Sequence, residues 1–161
     1  MSTLYVDNLQ PNLGSGVSIP GHVIQTKFGK STTVTATDSA TGAVATNLAV
    51  QFTPLRSDSI ILITIMAAAE SSGSYSDRGF QGRIYRDSTQ IYTSEYDLYM
   101  SNDTSQRIQK VTYQYYENSP GTDQVTYIFY IQSTGGGTSN SVARFNQYGE
   151  PSTMVIQEIA Q

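Results

Sequence analysis

Val125-Thr126-Tyr127-Ile128-Phe129-Tyr130-Ile131 is the stretch on which the fold class turns. Val125, Tyr127, Phe129 and Ile131 recur with period two, the repeat of an extended strand with one packed face. Ile128 and Tyr130 place apolar surface on the opposite face as well, so this strand is expected to be covered on both sides. Just upstream, Val111, Tyr113 and Tyr115 alternate with Lys110, Thr112 and Gln114. The two segments are joined by Asn118-Ser119-Pro120-Gly121-Thr122-Asp123, where Pro presets the first turn dihedral and Gly supplies the positive φ of a type II turn. This arrangement predicts a hairpin.

The same alternation recurs outward along the chain. Leu48, Val50 and Phe52 alternate with Ala49, Gln51 and Thr53. Ile60-Ile61-Leu62-Ile63-Thr64-Ile65-Met66 is a β-branched run expected to be a buried central strand, although Ala67-Ala68-Ala69-Glu70 after it leaves a helical alternative open. Residues 80–86 and 90–93 flank Asp87-Ser88-Thr89 and predict a second hairpin. Residues 141–147 and 152–159 supply two more strands, preceded by Gly135-Gly136-Gly137 and split by Gly149-Glu150-Pro151. With candidates at 22–28 and 31–37, the count reaches nine or ten short strands. That number of short strands with turn chemistry between them indicates an all-β fold, a jelly-roll-like two-sheet antiparallel sandwich.

Residues 1–21 read as an extended N-terminal arm ahead of a head domain at 22–161. Leu4, Val6, Leu9, Leu13, Val17 and Ile19 are thinly spread and interrupted by Pro11, Gly14, Gly16, Pro20 and Gly21. An arm that cannot bury its own apolar residues is expected to dock on a neighbour. Strands that are apolar on both faces carry more apolar surface than one sandwich core needs, and homo-oligomer burial accounts for the surplus.

Composition narrows the chemistry. The 161 residues fit one domain, and without Cys there is no thiol nucleophile, no Cys-ligated zinc and no iron–sulfur cluster. A formal net charge of -4 argues against nucleic-acid binding through the phosphate backbone. No secretory signal is visible, and the most apolar stretch, residues 60–69, is about half of the roughly 20 residues a membrane helix needs, so no membrane insertion is expected. His22, the one imidazole, reads as a turn or interface residue. No metal site and no cofactor are expected, and Gly135-Gly136-Gly137 reads as a loop tip lacking the Lys and helix of a phosphate loop. Glu70, Asp77, Glu95, Asp97 and Glu117 could be assembled into a glycosidase pair, but as turn formers and solvated rims they give no expectation of an enzyme. The glycosylation triplet Asn102-Asp103-Thr104 is taken as silent.

Residues 71–105 interleave Tyr75, Tyr85, Tyr92, Tyr96 and Tyr99 with Ser, Asp, Asn, Gly and Arg. Such a mixture gives stiff amphipathic contact area beside adaptable hydrogen bonding and suits sugar recognition. Tyr75, Tyr96, Tyr99, Asp97 and Asn102 are the candidate recognition residues. The competing reading makes Tyr85 and Tyr92 ordinary strand residues and places Tyr96 and Tyr99 in a subunit contact.

Ser2-Thr3-Leu4-Tyr5-Val6-Asp7-Asn8-Leu9 followed by Ile19-Pro20-Gly21-His22-Val23-Ile24-Gln25 resembles the opening of virion structural proteins of marine tailed bacteriophages, cyanophages especially. Residues 52–63, Ile84-Tyr85-Arg86-Asp87, Ser119-Pro120-Gly121-Thr122 and residues 154–161 are similar to the rest of that pattern. These are scaffold residues and none is a catalytic signature. The resemblance implies a non-enzymatic virion component: a homotrimeric β-sandwich head whose arm joins it to other virion proteins, in a fibre, an appendage or a capsid decoration. Two readings stay open. In one the Tyr-rich loops touch a host surface polysaccharide; in the other the protein stabilises a capsid or tail joint and the same tyrosines are buried between subunits. A polysaccharide-cleaving enzyme stands behind both.

Overall fold

The computed structural model describes residues 19–38, 40–73, 78–95, 97–99, 106–135 and 141–161. Ten strands follow one another: β1 (Val23–Ser31), β2 (Thr35–Asp38), β3 (Val44–Phe52), β4 (Ile60–Gly73), β5 (Gly79–Arg86), β6 (Thr89–Thr93), β7 (Arg107–Asn118), β8 (Val125–Thr134), β9 (Ser141–Phe145) and β10 (Ser152–Ile159). The fold is all-β, and Ala67–Glu70 continues β4 instead of turning helical. The arm residues Leu4, Val6, Leu9, Leu13 and Val17 lie outside the described residues.

Two antiparallel sheets form the sandwich. In sheet A, β4 is the axis: β7 runs along one edge, while β10 and then β9 occupy the other, with β1 outside β10 and β2 outside β9. β1 with β2, and β9 with β10, are thus two broken strands, and sheet A is four strands wide. Sheet B has the order β3-β8-β5-β6. The first strand lies beside the last, and consecutive strands alternate between sheets except at the β5–β6 hairpin. This is the eight-strand jelly-roll connectivity.

The expected hairpin between residues 111–115 and 125–131 does not form. β7 pairs with β4 in sheet A and β8 pairs with β3 and β5 in sheet B. Pro120 and Gly121, the latter at φ 117, do reverse the chain. Residues 119–124 are, however, long enough to cross the roughly 10 Å between packed sheets, so reversal does not require edge pairing. The second predicted hairpin does form, β5 against β6. The run at residues 60–66 is central as expected, yet only one of its faces is fully buried: Ile61, Ile63 and Ile65 point into the core while Met66 is 45% exposed on the other side.

Inward residues of both sheets fill the core. Leu48, Val50 and Phe52 of β3 and Tyr127, Phe129 and Ile131 of β8 face Ile61, Ile63 and Ile65 of β4, as the period-two pattern predicts. The Phe129 ring is flanked by Tyr113 at 5.1 Å and Phe145 at 5.6 Å. Gly82 permits this layer: a Cβ there would lie 2.5 Å from the Tyr113 ring. Such a contact would drive the ring out of place.

The break in these two strands, β1 with β2 and β9 with β10, is closed by one side chain. Asn146, fully buried and in the left-handed region at φ 59, donates its Nδ2 hydrogens to the carbonyls of Ser31 (3.0 Å) and Thr33 (3.1 Å) and accepts a bond from the Ser152 hydroxyl (2.5 Å). The Ser152 oxygen in turn accepts from the Ala68 N–H at 2.8 Å, and the Asn146 N–H donates to the Ala68 carbonyl at 3.0 Å. Asn tolerates this backbone and supplies donor and acceptor together. Asn146→Gly keeps the backbone and removes the amide, leaving the buried Ser31 carbonyl and Ser152 hydroxyl without that partner. It is expected to cost about 2–4 kcal/mol by urea unfolding at fixed protein concentration. Asn146→Ala should cost about 1 kcal/mol more for the left-handed φ. A loss below about 0.5 kcal/mol for Asn146→Gly would show that the amide does not hold the break.

A second pin sits where the chain enters the sandwich. Glu158 of β10, fully buried, accepts from the backbone N–H groups of Leu55 (2.8 Å) and Arg56 (2.9 Å), from the Ser59 hydroxyl (2.7 Å) and from Gln25 Nε2 (2.6 Å). Burial alone pushes this carboxyl up, but the donors of Leu55, Ser59, Gln25 and Arg56 outweigh it and the net displacement is downward. The sign follows: stability from Glu158 is complete above its ordinary value of 4.5 and is lost as pH falls through the lower folded value. Glu158→Gln should therefore be about 2–4 kcal/mol less stable than the parent at pH 7. The gap should narrow steadily below pH 4.5. Parallel melting curves from pH 7 to pH 3 measure this, and a pH-independent gap would contradict the assignment.

Candidate functional site

The jelly roll has two ends, separated by the 14 residues of β4, about 43 Å. At the first end Ile60 lies beside Ile159 and Asn118. Here Pro20 and Gly21 form a type II turn, with Gly21 at φ 84 and the His22 N–H bonded to the Ile19 carbonyl at 3.0 Å. Gly21 and His22 then pair with Ala160. Ile19, 40% exposed, is the one predicted apolar residue of the arm that is described. His22 is exposed in the turn.

The second end is where β2, β4, β6 and β8 finish. Of the predicted recognition residues, Asp97 and Tyr99 are found there, beside the start of β5; Tyr75, Tyr96 and Asn102 lie outside the described residues. Tyr99 is 48% exposed. Asp97 turns inward. Its Oδ2 accepts from the Tyr113 hydroxyl (2.8 Å), from the Gly82 N–H (3.1 Å) and from the Ser94 hydroxyl. Burial pushes the Tyr113 hydroxyl upward and the Asp97 charge adds to the shift, so this phenol stays protonated and donating. Asp97 therefore fastens the β6–β7 connection to the core. Below it, fully buried Arg78, Ser71 and Ser141 and nearly buried Ser133 give this end of the core a polar floor.

The predicted acids are dispersed. Glu70 faces outward from sheet A, buried under its ion pair with Arg144. Glu117 faces inward, paired with Arg86 at 2.5 Å and accepting from the Tyr127 hydroxyl at 2.8 Å. Burial pushes the Tyr127 phenol up, with Glu117 adding to it. The register sets Glu70 opposite Ile108 and Glu117 opposite Ile61. Nine strand positions, about 30 Å, therefore separate the two carboxylates along the sheet. A glycosidase pair needs them about 5–9 Å apart. Glu95 is exposed and Asp77 lies outside the described residues.

The outward faces of the two sheets differ in chemistry. On sheet A the register lays out rows of Thr26, Gln157, Leu62 and Tyr116; of Phe28, Val155, Thr64 and Gln114; and of Lys30, Thr153, Met66 and Thr112. Ile159 and Ile60 extend this face. Phe28 is 62% and Tyr116 71% exposed, and Lys30 is the one charged residue in those rows.

Sheet B presents Gln81, Arg83 and Tyr85 of β5, Gln90 of β6, and Tyr130 and Gln132 of β8 on one outward patch. Arg83 donates from Nε (3.3 Å) and Nη2 (3.0 Å) to Gln81 Oε1, from Nη1 to Gln90 Oε1 (3.1 Å) and from Nη2 to Gln132 Oε1. Tyr85 and Tyr130 stack with ring centroids 4.1 Å apart at 33°. Sequence reasoning did not single out this patch, because its members come from three strands and only the register brings them together.

No protein-family model matches the chain. No curated protein matches it either. Among solved structures, dimeric latent PorU from Porphyromonas gingivalis matches over 91% of this chain and 14% of its own, at 9% identity and a TM-score of 0.50. The infectious bursal disease virus Gx strain structure matches over 98% of this chain and 42% of its own, at 13% identity and a TM-score of 0.44. The VP2 subviral particle of that virus matches over 86% and 38%, at 10% identity and a TM-score of 0.46. The chain spans less than half the length of each of these three. The likeness to PorU is one of fold.

Proposed function

We propose that this chain is a non-enzymatic structural protein of a bacteriophage particle, a trimeric, fibre- or appendage-like head attached through residues 1–21 to another virion protein. The observation that carries this reading is the outward face of sheet A. Phe28, Met66 and Tyr116 are exposed there, and Leu62, Val155, Ile60 and Ile159 are half-buried around them. Apolar surface of this extent costs free energy in water and is relieved by covering it with further copies. The two-ended build fits the same role. The chain enters at one end, and Tyr99 stands at the other, where it would meet host surface polysaccharide.

One observation favours the second reading, a capsid decoration or joint-stabilising protein without host binding. Asp97 spends its Oδ2 inside the subunit, so the second end offers less polar recognition chemistry than its composition implies.

Sedimentation of the purified chain tests the proposal. The parent should run at about three times the 17.6 kDa of one chain. Phe28→Glu combined with Tyr116→Glu should run as a monomer with the parent's β-sheet circular dichroism. Removal of residues 2–18 should leave the trimer intact while abolishing incorporation into particles. A monomeric parent, or a truncated form that still incorporates, would overturn the reading.

A further inference from the structure

We infer that the outward face of sheet B binds a carboxylate-bearing sugar, with Arg83 meeting the carboxylate and the Tyr85–Tyr130 stack meeting the sugar ring. Arg83 is a donor-only group held by amide oxygens, and among the described residues no carboxylate pairs with it. Its charge is therefore positioned without being cancelled. Of the five N–H donors of a guanidinium, the four bonds to Gln81, Gln90 and Gln132 use four and leave one on Nη1.

The glutamine orientation follows from the same bonds. Because Arg cannot accept, the amide oxygens of Gln90 and Gln132 must face it, which leaves their NH₂ groups as donors at the rim of the patch. One guanidinium N–H and two amide NH₂ groups form an array that only donates, beside a positive charge. The complementary ligand is an anion that only accepts, and an ionised carboxylate is such a group.

The neighbouring stack supplies the second half of the site. Tyr130 lies directly opposite Arg83 in the register, and Tyr85 is fixed by its hydroxyl on Gln90 Oε1 at 3.1 Å. The two rings are held in place before any ligand arrives, which lowers the ordering cost of binding. A pyranose ring offers an apolar C–H face to an aromatic ring and, as a uronic acid, a carboxylate at its edge. The stretch from Tyr130 to Arg83 matches that division.

This inference rests on the reading of the chain as a contact protein, and its test is separate from the sedimentation and particle assays. The full-length chain is titrated calorimetrically with tetragalacturonate and with the same oligosaccharide as its methyl ester, which removes the charge and keeps the rings. The acid form should bind at least ten-fold more tightly, and more weakly as salt rises. Arg83→Gln should lose at least ten-fold for the acid form and abolish the difference between the two ligands; Tyr130→Ala should weaken both. Gln90→Ala, at the rim, should lose at least three-fold and decides the matter if Arg83→Gln is unstable. Absence of binding by the parent, equal affinity for acid and ester, or unchanged affinity in both Arg83→Gln and Gln90→Ala would overturn the inference. So would dissociation of the oligomer by Tyr130→Ala, which would make this face a subunit contact.

Discussion

Ala68 stands at the point of β4 where the strand beside it is interrupted, and the satisfaction of its two backbone groups is the constraint on which the sheet depends. A buried N–H and C=O with no ladder partner would each cost free energy comparable to a lost hydrogen bond. The Ser152 hydroxyl takes the one and the Asn146 backbone takes the other. With that replacement β4 can run unbroken for 14 residues while its neighbours start afresh as β9 and β10. The side-chain amide of the same Asn146 reaches Ser31 and Thr33, so both broken strands bend at one place. The length of β4 in turn sets the separation of the two ends, and hence any division of labour between them.

Much of the fold was legible as period two. Leu48, Val50 and Phe52, and Tyr127, Phe129 and Ile131, go inward as their alternation requires, because a one-residue slip would turn the whole set to water. What alternation cannot show is which strands pair. Asn118–Asp123 has the composition of a reversal, and a reversal occurs, but the chain leaves one sheet for the other. Turn chemistry fixes local dihedrals, whereas partner choice depends on burial across the whole molecule. The break at Asn146 was equally invisible. Its amide acts on residues more than a hundred positions away in the chain.

The site was legible only in composition. Asp97 and Tyr99 of the Tyr-rich segment lie beside the start of β5, but the role of Asp97 was not legible, since an acid in a polar loop looks the same whether its oxygens face water or a buried tyrosine. Tyr85 lies in β5. Its significance comes from Tyr130 and Arg83 on the same outward face, and from glutamines contributed by β5, β6 and β8. No spacing in the sequence encodes that grouping, because antiparallel register is a tertiary property.

Arg83 differs from several other cations of the fold in how its charge is handled. Four other cations of the described residues meet carboxylates: Arg86 with Glu117, Arg144 with Glu70, Arg56 with Asp58 and Lys110 with Glu150. Such pairs cancel at a distance and leave little field outside the protein. At Arg83 the partners are amides, whose dipoles hold the guanidinium in place yet leave its full charge in the field. On a chain of net charge -4 that charge is a local exception, attractive to an anion that the rest of the surface repels. Glutamate at 81, 90 or 132 would hold the side chain at least as firmly while removing the attraction. The three glutamines therefore hold Arg83 in position without silencing its charge, and this separates the patch from the rows on the far side of the sandwich, where Phe28, Leu62, Met66, Val155 and Tyr116 stand among Thr and Gln.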